Sequence, residues 1–236
     1  MINYYSPLKS GCVAEYGDNP RNELIDLIKV VPEQIFEIGC GSGATGMAIK
    51  QKFPDAKYIG MDSNKDAAEI AQTRLDKVIV SDIDKVPLDT FGLEKECFDL
   101  IICADILEHL YDPWKIINDL RGYLTADGKI LASIPNVQYI EHIVNVLDGN
   151  WKYEDHGLMD ATHIRFFTLN EIIKMFNGAG YNITHCSGIS NSKMNSDTWP
   201  NDFDFGKFVL KNITKEEASK FAVLQYLLIA QKVSPE

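Results

Sequence analysis

The 236-residue chain lacks an apolar run long enough to cross a bilayer. Its longest apolar stretch, near Phe221 to Ala230, is short and interrupted by Gln225. No apolar core follows Met1, so no signal peptide is expected and the expected location is cytoplasmic. Positive charge is scarce, with 23 Lys and Arg against 34 Asp and Glu and a formal net charge of −11. Binding along a nucleic-acid backbone needs a clustered basic face. The small basic groups at 50–52 and 207–215 read as solvated surface, so no nucleic-acid partner is expected. The five cysteines are odd in number and lack paired or metal-ligand spacing, which fits a reducing compartment. Cys40 and Cys103 read as small packing residues near strand ends. No internal repeat is evident, and nothing in the sequence specifies an oligomeric state. What is present, 45% hydrophobic and 24% charged residues, is ordinary for a globular protein. A single α/β domain over residues 1–236 is the natural reading.

The most informative segment is Gln34-Ile35-Phe36-Glu37-Ile38-Gly39-Cys40-Gly41-Ser42-Gly43-Ala44-Thr45-Gly46. An apolar run ends beside an acid, and four glycines follow within eight residues. This predicts a buried strand, a tight turn and a helix start. Such a turn lets a ligand approach the main chain, and the free N–H groups of the helix start receive polar or anionic atoms. The segment therefore predicts a site for a nucleoside-containing cofactor. Two patterns fit it: the dinucleotide fingerprint Gly41-x-Gly43-x-x-Gly46, and acid-x-Gly-x-Gly-x-Gly through Glu37, Gly39, Gly41 and Gly43.

Three further strands end in acids. The strand closing on Asp62 places a carboxylate for both ribose hydroxyls, with Ser63 beside it, and either cofactor class would use it. The next ends at Asp82, placed to accept from an adenine amino group, with Ile83 against the ring. The fourth runs into Ala104-Asp105-Ile106-Leu107-Glu108-His109-Leu110. A dehydrogenase has no standing need for the third acid or for this Asp-x-x-Glu-His combination.

With these motifs the chain resembles the class I S-adenosylmethionine (SAM)-dependent methyltransferases. The nearest subgroup is a bacterial small-molecule type often associated with polysaccharide glycosyltransferases. The resemblance runs from about Tyr16 to Tyr181. It rests also on Asn19-Pro20-Arg21, Ala132-Ser133-Ile134-Pro135-Asn136-Val137 and the segment from Leu158 to Thr168 containing Asp160-Ala161-Thr162-His163-Ile164-Arg165. It implies a Rossmann-like, seven-stranded, mostly parallel sheet of order 3-2-1-4-5-7-6 with strand seven antiparallel. It implies SAM as methyl donor, S-adenosylhomocysteine as product and a small-molecule acceptor, a sugar, glycan or lipid-linked intermediate. It also implies that Ala104 and Asp105 meet the methionine end of the cofactor, and that Tyr16 and Arg21 close over it. The alternatives are a SAM-binding protein without catalysis and a methyltransferase acting on protein or RNA. Enzymes that methylate nucleic-acid amino groups usually carry Asn/Asp-Pro-Pro-aromatic where this chain has Ala104-Asp105-Ile106-Leu107.

Periodicity predicts helices over 22–30, 45–53, 65–75, 114–124 and 169–179, and a terminal strand pair over 181–189 and 221–233. Two stretches exceed the minimal fold, 137–167 and 190–220. Their aromatics, among them Trp151, Tyr153, Trp199, Phe203 and Phe205, are expected to build a substrate pocket, and 190–204 to form a lid. Transfer to a hydroxyl benefits from a base, and histidine is suited to that task. His163 is the first candidate and His109 the second. The acids and histidines lack the spacing of known metal motifs, so no metal is expected.

Overall fold

A computed structural model describes Leu8, residues 18–190 and residues 194–233. In chain order the elements are α1 (Asn22–Ile25), β1 (Gln34–Ile38), α2 (Ala44–Lys52), β2 (Lys57–Asp62), α3 (Lys65–Ala71), β3 (Lys77–Val80), β4 (Phe98–Ala104), α4 (Pro113–Leu120), β5 (Leu124–Pro135), α5 (Ile140–Leu147), α6 (Leu169–Gly178), β6 (Tyr181–Ser190), β7 (Asn201–Asp204), β8 (Val209–Ile213), α7 (Lys215–Ala222) and β9 (Val223–Lys232). The main sheet has the order β3-β2-β1-β4-β5-β9-β6. Strands β1 to β5 pair in parallel, and β9 runs antiparallel to both β5 and β6. With β9 counted as strand seven, this is the order that the sequence motifs implied.

The central strands are apolar on both faces because helices cover both sides. Period-two alternation sorts them into two cores. Phe36, Ile38, Ile101, Cys103, Ile130 and Ala132 pack on one face, and Ile35, Leu100, Ile102 and Leu131 on the other. Each fully buried large side chain contributes about 1.5–3 kcal/mol of transfer free energy. Strand ends β1, β2 and β4 are therefore held rigidly, and the turns after them inherit fixed positions. Cys40 and Cys103 are buried and free, in packing roles.

Local chemistry sets the helix ends. Asn64 caps α3 by accepting from the Ala67 N–H at 3.1 Å. Asp112 caps α4, with Pro113 in the first turn. The first helix is shorter than expected. It ends at Ile25 and Val30 and Val31 are exposed, because a β-branched pair before Pro32 disfavours helix. The α3 helix also stops early, continuing to Leu75 only as turns. β5 begins at Leu124 and crosses a register shift against β4 between Phe98 and Leu100.

The two extra stretches behave differently. Residues 201–222 form the β7–β8 hairpin and α7, and with α5 they close a small separate core of Ile140, Met194, Phe203, Ala218 and Ala222. Trp199 and Phe205 pack against it. These aromatics cover a structural core, and Asn201 to Asp204 is paired strand. In the other stretch Trp151 and Tyr153 are exposed and line a groove of about 660 Å³ with His142, Glu154 and Met159.

Candidate functional site

The turn after β1 is shaped by glycine. Gly39, Gly41 and Gly43 all have positive φ, at 74°, 52° and 77°. A Cβ on Gly39 would also sit 3.0 Å from the Ile106 side chain, so the turn rests directly against the chain leaving β4. A cleft of about 270 Å³ opens here at the carboxyl ends of β1 and β4. Of the residues assigned to the cofactor, Arg21, Glu37, Gly39, Gly41, Ala104 and Asp105 line it. A larger cavity of about 700 Å³, lined by Val30, Val31, Asp99 and Lys129, contains none of the assigned residues. It lies by the amino ends of β1 and β4, where this class of sheet does not bind ligands.

Glu37 is buried and accepts from the Tyr58 hydroxyl at 2.8 Å. Burial pushes its carboxyl up to about 7, with the Tyr58 bond opposing and the Asp62 charge reinforcing the rise. Asp62 stands behind the turn. One carboxylate oxygen accepts from the Gly41 N–H and the other from the Asn64 N–H, both at 2.8 Å. The acid at the end of β2 thus fixes the glycine turn itself. Gly43 is the left-handed residue before α2. Ser63, just after β2, is exposed. Asp82 accepts from the Asp84 N–H and pairs with Lys85, and Ile83 is buried in the core. Gly43, Asp62, Ser63, Asp82 and Ile83 are not among the residues lining the cleft. Tyr16 lies outside the described residues.

Asp105 closes the other wall. It holds a positive φ of 52°, an uncommon conformation for a residue with a side chain. A polar network compensates: Ser133 donates to Asp105 at 2.7 Å, Gln225 donates to the same oxygen, and the Arg21 guanidinium pairs with the second oxygen. Arg21 also donates to Gln225 at 3.1 Å. Ser133 and Gln225, on β5 and β9, were not anticipated, since their role depends on which strands become neighbours.

Immediately beyond Asp105, a short turn of 3₁₀ helix over Leu107–His109 is gripped by the 158–165 segment. The Ile164 and Arg165 N–H groups both donate to the Glu108 carbonyl. This contact brings His109 and His163 together, with ring centroids 4.6 Å apart in an edge-on arrangement. Burial lowers the pKa of both, and in His109 the His163 charge adds to the effect. Glu108 is buried beside them, its carboxyl pushed up to about 8 by burial. Of the other histidines, His142 packs against Trp151, while His156 and His185 are exposed. Asn136 donates to the Lys220 and Val223 carbonyls in a structural role.

A parallel sheet with this strand order and a glycine turn of this shape defines a Rossmann-like fold of the kind that takes nucleoside cofactors. A family described as a methyltransferase domain matches residues 36–130. Trans-aconitate 2-methyltransferase of Pseudomonas aeruginosa is 32% identical over 124 residues, 52% of this chain and 44% of that protein. Demethylmenaquinone methyltransferase of Thermotoga maritima is 23% identical over 181 residues, 70% of this chain and 77% of that protein. A crystal structure of a SAM-dependent methyltransferase from Archaeoglobus fulgidus shares the fold, with a TM-score of 0.61 at 16% identity, covering 89% of this chain and 90% of that one. These likenesses, a methyltransferase-domain match over residues 36–130 and a fold shared with a SAM-dependent methyltransferase, support a class I SAM-dependent methyltransferase. Among the described residues no helix is long and apolar enough to cross a membrane.

Proposed function

We propose that the chain transfers a methyl group from SAM to a small-molecule acceptor, a sugar, glycan or lipid-linked intermediate. The observation that carries the reading is the cleft between the glycine turn and Asp105, with the 3₁₀ turn that carries His109, packed against His163, following directly in the chain. The names of the two curated relatives, which refer to an aconitate and a menaquinone precursor, support a small acceptor. The polysaccharide association rests on the sequence resemblance alone.

The residues fit the cofactor chemically. Glycines in the turn let a ligand approach the main chain with no Cβ in the way, and Glu37 and Asp105 offer carboxylates to a cationic amino group. Arg21 supplies a guanidinium for a carboxylate, and Asp62 lends its remaining lone pairs to ribose hydroxyls. Asp82, Ile83 and Ser63 form the adenine side of the proposed site, and Tyr16 belongs to its cover. SAM supplies an activated methyl on a sulfonium. Asp105 and Arg21 hold the methionine end in line with the acceptor, a service of proximity and alignment. The C–S bond breaks with its electron pair left on sulfur, a bond forms to the acceptor, and the acceptor's proton departs. His163 and His109 serve that acceptor group.

The test is release of S-adenosylhomocysteine from SAM in the presence of fractionated metabolite extracts. One fraction should support turnover. His163→Ala should lower it by about 10²–10⁴-fold while calorimetric SAM binding is kept. Binding of SAM without turnover on any fraction would favour a non-catalytic SAM-binding protein instead.

A further inference from the structure

Glu108 is 1% exposed, and among the described residues neither of its carboxyl oxygens has a hydrogen-bond partner. Buried carboxylates are normally paired, because an isolated one is costly to desolvate. The nearest candidate does not reach: His163 Nε2 is 3.9 Å from Glu108 Oε1, too far for a hydrogen bond. Yet one donor atom from each of Glu108, His109 and His163 lies within 4.8 Å of the other two.

The hydrogen bonds around the imidazoles settle which nitrogens are free. His163 Nδ1 is 3.0 Å from the Leu158 carbonyl. His109 Nδ1 is 3.3 Å from the Thr162 carbonyl and 3.1 Å from the Thr162 hydroxyl. A carbonyl only accepts. The hydroxyl's single proton is committed to Asp160 at 2.6 Å, so towards His109 it also accepts. Both Nδ1 atoms therefore carry the proton, and both Nε2 atoms present a lone pair. Two such lone pairs and a buried carboxyl group without a partner among the described residues stand in one small cluster. A carbonyl or carboxylate-linked group behind each imidazole is also how ligating histidines are oriented.

We propose that Glu108, His109 and His163 hold a divalent first-row transition-metal ion of the zinc class, with an open position for the methyl acceptor's oxygen. Donors about 2.0–2.2 Å from a tetrahedral ion lie about 3.4 Å apart, so the Glu108–His163 pair needs to close by only about 0.5 Å. Imidazole donors select such ions over magnesium or calcium. The ion's role rests on the methyltransferase reading, although its binding does not. Bound to the ion, an acceptor hydroxyl loses its proton to water more readily. Its oxygen then attacks the methyl carbon, the C–S bond breaks, and S-adenosylhomocysteine and one proton are released. A ligated Nε2 has no lone pair left for a proton, so this arrangement replaces histidine base catalysis.

The experiment uses the full chain stripped with a chelator and titrated with Co²⁺. Visible absorption and elemental analysis report the metal, and calorimetry with SAM runs in parallel. One Co²⁺ per chain with ligand-field bands is expected. His109→Ala and His163→Ala, and the size-conserving Glu108→Gln, should each weaken Co²⁺ at least ~100-fold, with SAM affinity nearly unchanged. His109 is half-buried, so its variant guards against a folding failure at the deeper positions. No stoichiometric Co²⁺ in the wild type, or equal affinity in both histidine variants, overturns the site even if SAM binds. Tight Co²⁺ binding with no SAM binding would keep the site and remove its methyltransferase role.

Discussion

Asp62→Ala removes one acceptor from two backbone donors, the N–H groups of Gly41 and Asn64. The side chain is 6% exposed, so water replaces it poorly. A buried donor left unpaired costs about 1–3 kcal/mol. Gly41 is buried and bears that cost in full, whereas Asn64 is half-buried and bears part of it. The expected loss of stability is about 2–4 kcal/mol. In a chain of this size each kcal/mol moves Tm by about 2–4 °C, so Tm should fall by about 5–15 °C. Asp62→Asn keeps one oxygen and should lose about half as much. The same change strips the ribose acceptor, and SAM affinity should fall at least ~tenfold. Urea denaturation reads the first effect and calorimetry on the folded variant reads the second. A Tm within about 2 °C of wild type would show that Asp62 does not hold the turn. An unchanged dissociation constant would reduce Asp62 to a turn-holding residue.

Glu37 gives a prediction in pH. Its carboxyl is raised from an ordinary 4.5 to about 7, so the folded state prefers the protonated form. That contribution is complete below pH 4.5 and is lost as pH rises through about 7. It amounts to about 3 kcal/mol, at 1.36 kcal/mol per unit. Wild-type stability should fall between pH 5 and 8 more steeply than that of Glu37→Gln, and parallel urea curves for the two would contradict this. Gly46→Ala should cost about 1–3 kcal/mol, because its Cβ would meet Leu75 at 2.5 Å and Tyr58 at 2.8 Å. A variant as stable as wild type would mean that α2 can lift away from β2 at no cost.

The frame was legible because each strand of the parallel sheet carries its own apolar run and ends in its own turn. Period and punctuation then suffice, as at Gln34–Ile38 and its glycines. The glycine turn was legible for the same local reason. Helix ends such as Ile25 were less so, since the β-branched pair before Pro32 competes with a continuing apolar pattern. The acceptor side was only partly legible. His109 and His163 could each be singled out, but their meeting depends on the 158–165 segment bonding to the Glu108 carbonyl. Glu108 read as part of a motif, and nothing in the sequence marks a carboxylate as buried and unpartnered. The aromatics of 190–220 misled for a related reason. Trp199 and Phe203 look alike whether they face a cavity or, as here, a core closed by a hairpin and α7.

Calorimetric titration of the purified chain with SAM, S-adenosylhomocysteine, NAD and NADP bears most directly on the central claim. Micromolar binding of SAM and S-adenosylhomocysteine, with no heat from NADP, is the predicted result. Heat from NAD or NADP and none from SAM would contradict it.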